Sequence, residues 1–83
     1  MVDLNLVSLI IASDYRKIIL EDLLNGPKTI REISIENNVC SKSLYGPAKK
    51  LRDYNLVIKR KRKYAITEKG IEVIKKLHEI RGR

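Results

Sequence analysis

Residues 56–67 read LVIKRKRKYAIT: five consecutive basic side chains, Lys59–Lys63, between two apolar stretches. A block of like charges standing alone is a solvated tail or a targeting tag. The flanks of this one argue otherwise. Leu56 and Ile58 alternate before the block, and Tyr64 and Ile66 alternate after it, which is the two-residue period of a strand. The spacing predicts a β-hairpin over 56–67, with Leu56 and Ile58 on one face and a tip near Arg60–Arg62. No glycine or Asn-Gly pair marks the turn, which leaves its type open.

Upstream the period is that of a helix. Residues 29–57, TIREISIENNVCSKSLYGPAKKLRDYNLV, open with Thr29 as an N-cap and Glu32 three residues on, a capping box. Ile30 and Ile33 face inward on this helix, with one of Ser34 or Ile35. Asn37–Asn38 ends it, since asparagine tolerates the left-handed conformation. Ser41 or Cys40 caps a following helix that turns Leu44, Ala48, Leu51 and Tyr54 inward. Lys42, Tyr45 and Lys49 are left outside, with Lys50 at the edge. Gly46–Pro47 interrupts this helix, because proline lacks an N–H and disfavours helical backbone just before it. The helix is expected to bend there or to split, with Pro47 starting a new one.

Earlier still, Ser13 caps a helix carrying the stripe Tyr15, Ile19 and Leu23, joined by Ile18, Leu20 and Leu24. Asn25–Gly26 and Pro27 stop it. Residues 3–12 favour a short helix over a strand, with Asp3 as cap and Leu6, Leu9 and Ile10 inward. Downstream, Thr67 caps a last helix, where Ile71, Ile74 and Leu77 fall at helical spacing beside Val73 and Ile80. Tyr15, Tyr54 and Tyr64 are expected in the core, and Cys40 as a small packing residue.

In this order and at these distances, the elements resemble a winged helix-turn-helix domain of the archaeal and bacterial transcription-regulator kind, over about Ser13–Leu77. Ser34 stands where the two helices approach, Asn38 at the tight turn, and Val39 and Leu44 where apolar residues lock them. The tail YAITEKGIEVI is close to the pattern that ends many such domains. The expected fold class is mainly α with a small β-hairpin, in one domain over 1–83. Its parts are an extension at 1–12, the helix-turn-helix at 29–54, the wing at 56–67 and the C-terminal helix at 68–81.

Charge agrees with that resemblance. The net charge of +8 is not spread evenly: residues 1–38 carry four Lys/Arg against six Asp/Glu, and residues 39–83 carry fourteen against four. A one-sided basic surface attracts an acidic polymer. In a helix-turn-helix the second helix enters the DNA major groove, where base edges present a readable pattern. The candidates for contact on that helix are Ser41, Lys42, Ser43, Tyr45, Lys49 and Lys50. Thr29, at a helix start with free N–H groups, is the candidate phosphate clamp. Lys59, Arg60, Lys61, Arg62 and Lys63 form the wing, over the backbone or a minor groove.

The expected function is therefore a double-stranded DNA-binding transcriptional regulator. The alternatives are a protein-interaction adaptor on the same fold, or a nucleic-acid binder without sequence preference. Leu4, Leu6, Val7, Leu9, Ile10 and Ile11 offer apolar surface for a homodimer. A single cysteine and a single histidine, Cys40 and His78, give no disulfide and no zinc cluster. No nucleophile–base set, carboxylate pair or phosphate loop is evident, so neither catalysis nor a cofactor is expected. No small-molecule ligand is expected either, as there is no room for a ligand-binding domain. The longest apolar run, Leu9–Ala12, is too short to span a bilayer, and the N-terminus lacks a basic flank. A cytoplasmic protein is the expectation.

Overall fold

The computed structural model describes residues 4–81. Three helices come first around a short strand: α1 (Leu4–Ile11), α2 (Asp14–Leu23), β1 (Lys28–Thr29) and α3 (Ile30–Asn37). Helix α4 (Lys42–Asp53), strands β2 (Val57–Arg60) and β3 (Lys63–Ile66) and helix α5 (Glu68–Arg81) follow. The strands form one antiparallel sheet in the order β1-β3-β2. The hairpin expected from the sequence is present, and β1 is an addition. It is two residues long, pairing Lys28 with Tyr64 and Thr29 with Lys63, too short to show a period of its own.

One core serves all five helices. Ile10, Ile19, Leu20, Ile33, Leu44, Leu51, Leu56, Ile74 and Leu77 are fully buried in it. Helix α1 belongs to this core, because Leu6, Val7 and Ile10 are buried. An isolated helix of eight residues is unstable in water, and burying each such side chain gains about 1.5–3 kcal/mol. Packing therefore decides that α1 folds. The expected Asp3 cap lies outside the described residues.

Caps set the other boundaries. Ser13 Oγ accepts from the Arg16 N–H at 3.4 Å at the start of α2. The capping box on α3 is complete: Glu32 N–H donates to Thr29 Oγ1 at 3.1 Å, and Thr29 N–H donates to Glu32 Oε1 at 3.0 Å. Asn38 adopts the left-handed conformation at φ 53°, ψ 47°. Val39 N–H then reaches Ser34 O at 3.0 Å, and Ser34 Oγ–H donates back to Val39 O at 2.7 Å. The small Ser34, and not Ile35, is thus the residue turned toward the helix-helix turn; Ile35 is exposed.

A polar tetrad binds α2, β1 and α3 together. Asp22, 9% exposed, accepts from Lys28 Nζ at 2.7 Å and from Asn37 Nδ2 at 3.1 Å. Lys28 also pairs with Glu36. The hydrogen bond to Asp22, then that to Glu36, holds the Lys28 ammonium above the ordinary lysine pKa. Its contribution to stability is present below that ordinary value and is lost only in strong alkali.

The base of the hairpin is closed by Thr67. Its N–H donates to Leu56 O at 3.0 Å, and its hydroxyl donates to Asn55 O at 2.7 Å. The same hydroxyl oxygen accepts from Gly70 N–H at 3.1 Å, which caps α5. Asn55 is left-handed at φ 62°, so Leu56 N–H can turn back to Leu51 O at 2.9 Å. Gly70 lies against this junction. A Cβ there would collide with the Leu56 carbonyl oxygen and come within 2.7 Å of Ile66 Cγ1.

Several expectations are corrected. Helix α4 does not split at Gly46–Pro47; it runs unbroken from Lys42 to Asp53 with Pro47 inside it, its buried face Leu44, Ala48 and Leu51 continuous across the proline. Neither expected cap forms at its start: Ser41 is itself helical at φ −60°, ψ −32°, with no side-chain cap bond. Backbone bonds from Ser43 N–H to Cys40 O and from Leu44 N–H to Ser41 O, both 3.0 Å, tighten that turn instead. In the hairpin the inward residue of β2 is Val57, while Ile58 is 42% exposed. Leu56 precedes the strand, inside the left-handed turn at Asn55, and that turn shifts the alternation by one. Tyr64 is buried, but Tyr15 and Tyr54 are 40% and 39% exposed, since each sits at a helix end where the core has run out. Leu24, just past the end of α2, and Ile80 in α5 are exposed as well. Cys40 is exposed rather than packed.

The Gly70 contact predicts that Gly70→Ala destabilises the fold despite the helix propensity of alanine. A gain of about 1 kcal/mol from propensity is outweighed by overpacking against backbone that cannot swing away, for a net loss of about 1–2 kcal/mol in urea unfolding. An unchanged or raised urea midpoint contradicts the packing described. The capping box predicts a loss of about 1 kcal/mol for Thr29→Ala. It also predicts a pH dependence. The backbone N–H of Thr29 holds the Glu32 carboxyl below its usual range, so the stabilisation is present at neutral pH and lost as pH falls through that lowered value. The gap in urea midpoint between wild type and Glu32→Gln should close in acid.

Candidate nucleic-acid interface

Helix α4 presents its outer side because its inner side is fixed. Leu44, Ala48 and Leu51 are fully buried, and that sets the rotation of the helix about its axis. Lys42, Tyr45, Lys49 and Lys50 are consequently exposed, while Ser41 and Ser43 are half-buried at the start of the helix. Tyr45 leaves 57% of its surface free, a large share for an aromatic side chain.

The wing carries its cations on a short, tightly turned hairpin. Arg60 pairs with Lys63 across the ladder, so the tip is the two residues Lys61 and Arg62. Lys61 has φ 57°, a conformation in which glycine or asparagine is favoured. Lys59, Arg60, Lys61, Arg62 and Lys63 are all exposed. Cross-strand partners share a face, so Lys59 lies with its partner Tyr64, and Arg60 and Lys63 lie together on the other face. The Lys59 ammonium sits 5.5 Å from the centre of the Tyr64 ring, a cation–π contact that steers the lysine toward α3 and α4.

Between these two elements lies a cleft of about 430 Å³. The start of α3 forms one wall with Thr29 and Arg31, Tyr45 of α4 forms another, and Lys59 and Arg62 of the wing close it over Ile30 and Tyr64. The fold thus brings together four of the candidate residues, Thr29, Tyr45, Lys59 and Arg62. A second cleft, of about 420 Å³, lies on the other side of α4 and includes Lys49 and Lys50. Lys42, Ser41, Ser43, Arg60, Lys61 and Lys63 line neither cleft.

Arg31 is the cleft residue that sequence reasoning passed over. Its signal was present: it directly follows Ile30 in the capping box, off the Ile30/Ile33 face, and so had to point outward. Glu32, close by, is the one carboxylate at this end of α3, and its charge is taken up by the Thr29 N–H. Arg31, Lys59 and Arg62 form no ion pair with a carboxylate among the described residues. The arrangement can bind an anion. Among the described residues, no group of three or more His, Cys, Asp or Glu side chains could hold a metal ion, and no helix is long and apolar enough to cross a membrane.

No curated protein matches the chain in sequence. A family profile does: that of the winged helix-turn-helix covers residues 13–83, from the cap of α2 through the wing and α5. Match and geometry agree, and the chain belongs to the winged helix-turn-helix family, whose fold points to DNA binding.

Proposed function

We propose that the protein is a transcriptional regulator that binds double-stranded DNA, with α4 in the major groove and the wing over the backbone or a minor groove. The observation that carries this reading is the cleft joining Thr29, Arg31 and Tyr45 to Lys59 and Arg62. A phosphate placed there meets three cations beside the N-terminal end of α3, whose Thr29 and Glu32 N–H groups are already taken by the capping box, while Lys42 and Lys49 remain on the exposed face of the adjacent helix. A helix with its side chains is about 10–12 Å across, and the major groove of B-DNA is about 12 Å wide. The fit leaves Lys42, Tyr45 and Lys49 at base edges, and Thr29 and the wing at the strand alongside. Ser41, Ser43 and Lys50 border that face.

The reading extends to a homodimer, assembled through the 1–12 extension. Leu6, Val7 and Ile10 are committed to the core, but Leu4 and Ile11 of α1 and Ile80 of α5 are exposed, and these two helices pack together. A two-fold axis there would set two α4 helices on successive turns of one duplex.

The test is fluorescence anisotropy across a salt series, comparing a duplex selected from a random library with a scrambled one. We expect a preference of about a thousandfold near physiological salt and a log–log salt slope of roughly −5, for about six phosphate contacts. The Lys42→Ala/Lys49→Ala pair should abolish the preference, and Lys61→Ala/Arg62→Ala should weaken both duplexes alike. Equal binding to both duplexes would make the protein a non-specific binder. No binding at moderate salt would overturn the reading in favour of a protein-interaction adaptor. For the dimer, sedimentation equilibrium should give twice the 9.6 kDa chain mass, and Leu4→Asp/Ile11→Asp should give the monomer; a monomeric wild type sinks it.

A further inference from the structure

The second cleft includes Arg16, Gly46, Pro47 and Asp53, which have no part in the contacts proposed above. It runs between the first turn of α2 and the far side of α4, and is lined by Arg16, Gly46, Pro47, Lys49, Lys50 and Asp53. Three of those six side chains are cationic and one is acidic. Arg16 is anchored from behind, its Nη1 donating to Leu9 O at 2.9 Å, which fixes the guanidinium at the cleft wall. Its Nε is buried and has no hydrogen-bond partner among the described residues. Lys49, Lys50 and Asp53 form no ion pair among the described residues.

The position of this cleft relative to the first is set by helix geometry. Tyr45 lines the wing cleft and Lys50 lines the second. At 3.6 residues per turn, five positions along α4 put them about 140° apart round the helix, with Lys42 and Lys49 on the crest between. The two clefts flank the outward crest of one helix. A helix lying in the major groove nearly fills it, so each flank faces a different sugar–phosphate strand.

Gly46 and Pro47 complete the site. Glycine relieves the strain that proline imposes on a helical residue before it. It also leaves the wall bare, since a Cβ at position 46 would point into open space, with no other element of the protein within 4 Å.

We infer that this cleft is a second phosphate site, which takes the strand opposite the one at the wing, with Arg16 and Lys50 as its cations and Lys49, on the crest, at its rim. The inference rests on the DNA-binding reading and adds to it a second contact on the opposite strand. Asp53 opposes the phosphate, so its charge tunes the site downward.

The experiment is phosphate-ethylation interference on a short duplex, with anisotropy salt slopes for wild type, Lys50→Ala, Arg62→Ala and Asp53→Asn. Lys50, Arg62 and Asp53 are exposed, so these variants keep the fold. Wild type should show two clusters of interfering phosphates, on opposite strands across one major groove. Lys50→Ala should relieve the cluster away from the wing and reduce the slope by about 1. Arg62→Ala should relieve the other cluster, and Asp53→Asn should tighten binding. A single cluster at the wing, or a Lys50→Ala slope equal to that of wild type, overturns the second site while leaving the DNA reading intact. A wild type that binds no duplex overturns both.

Discussion

The closure at Thr67 is the constraint on which the geometry of the hairpin depends. Two backbone carbonyls, of Asn55 and Leu56, and one N–H, of Gly70, converge on a single threonine. The junction joins the end of α4, both ends of the hairpin and the start of α5. Backbone groups taken from water need partners, and here one residue supplies three: its hydroxyl donates to Asn55 O and accepts from Gly70 N–H, and its own N–H donates to Leu56 O. The start of α5 lies against Leu56, and the strands leave this point as an antiparallel pair. Their course carries Lys59 and Arg62 back over α3 and Tyr45.

With the scaffold fixed this way, the charges can be left free. The ionic contacts that hold the fold, Lys28 with Asp22 and Glu36, lie on the side of α2, β1 and α3. Lys42, Lys49 and the wing cations make no ion pairs among the described residues. Exposed ion pairs contribute at most about 1 kcal/mol each, so the fold loses little by leaving them unmade. Apolar burial and caps stabilise the structure, and the unpaired cations keep their charge available to a polyanion.

Much of this was legible in the sequence, for identifiable reasons. The capping box at Thr29 and Glu32, the left-handed Asn38 and the cap at Thr67 are local interactions, complete within four residues, and each is found where the residue types put it. The stripes on α2, α4 and α5 were legible because each is buried against a single core. What escaped depends on distance through space. Strand β1 is two residues whose identity as strand comes from β3, some thirty-five positions away. The phase of β2 was misread because Asn55, with positive φ, moves Leu56 out of the ladder. Gly46–Pro47 looked like a break, yet buried Leu44, Ala48 and Leu51 hold the helix across it, a tertiary override of a local preference. Arg16 and Arg31 were passed over because membership of a cleft belongs to two elements at once.

The two residues of β1 carry a mechanical consequence. Thr29 is both the strand partner of Lys63 and the cap of α3, so the hairpin and the helix-turn-helix share a residue with no hinge between them. A wing joined only at its base would swing; this one is also paired to β1 at Lys63 and Tyr64. The opening between it and α4 is therefore framed by a backbone pairing, like the jaw of a caliper set by its own frame.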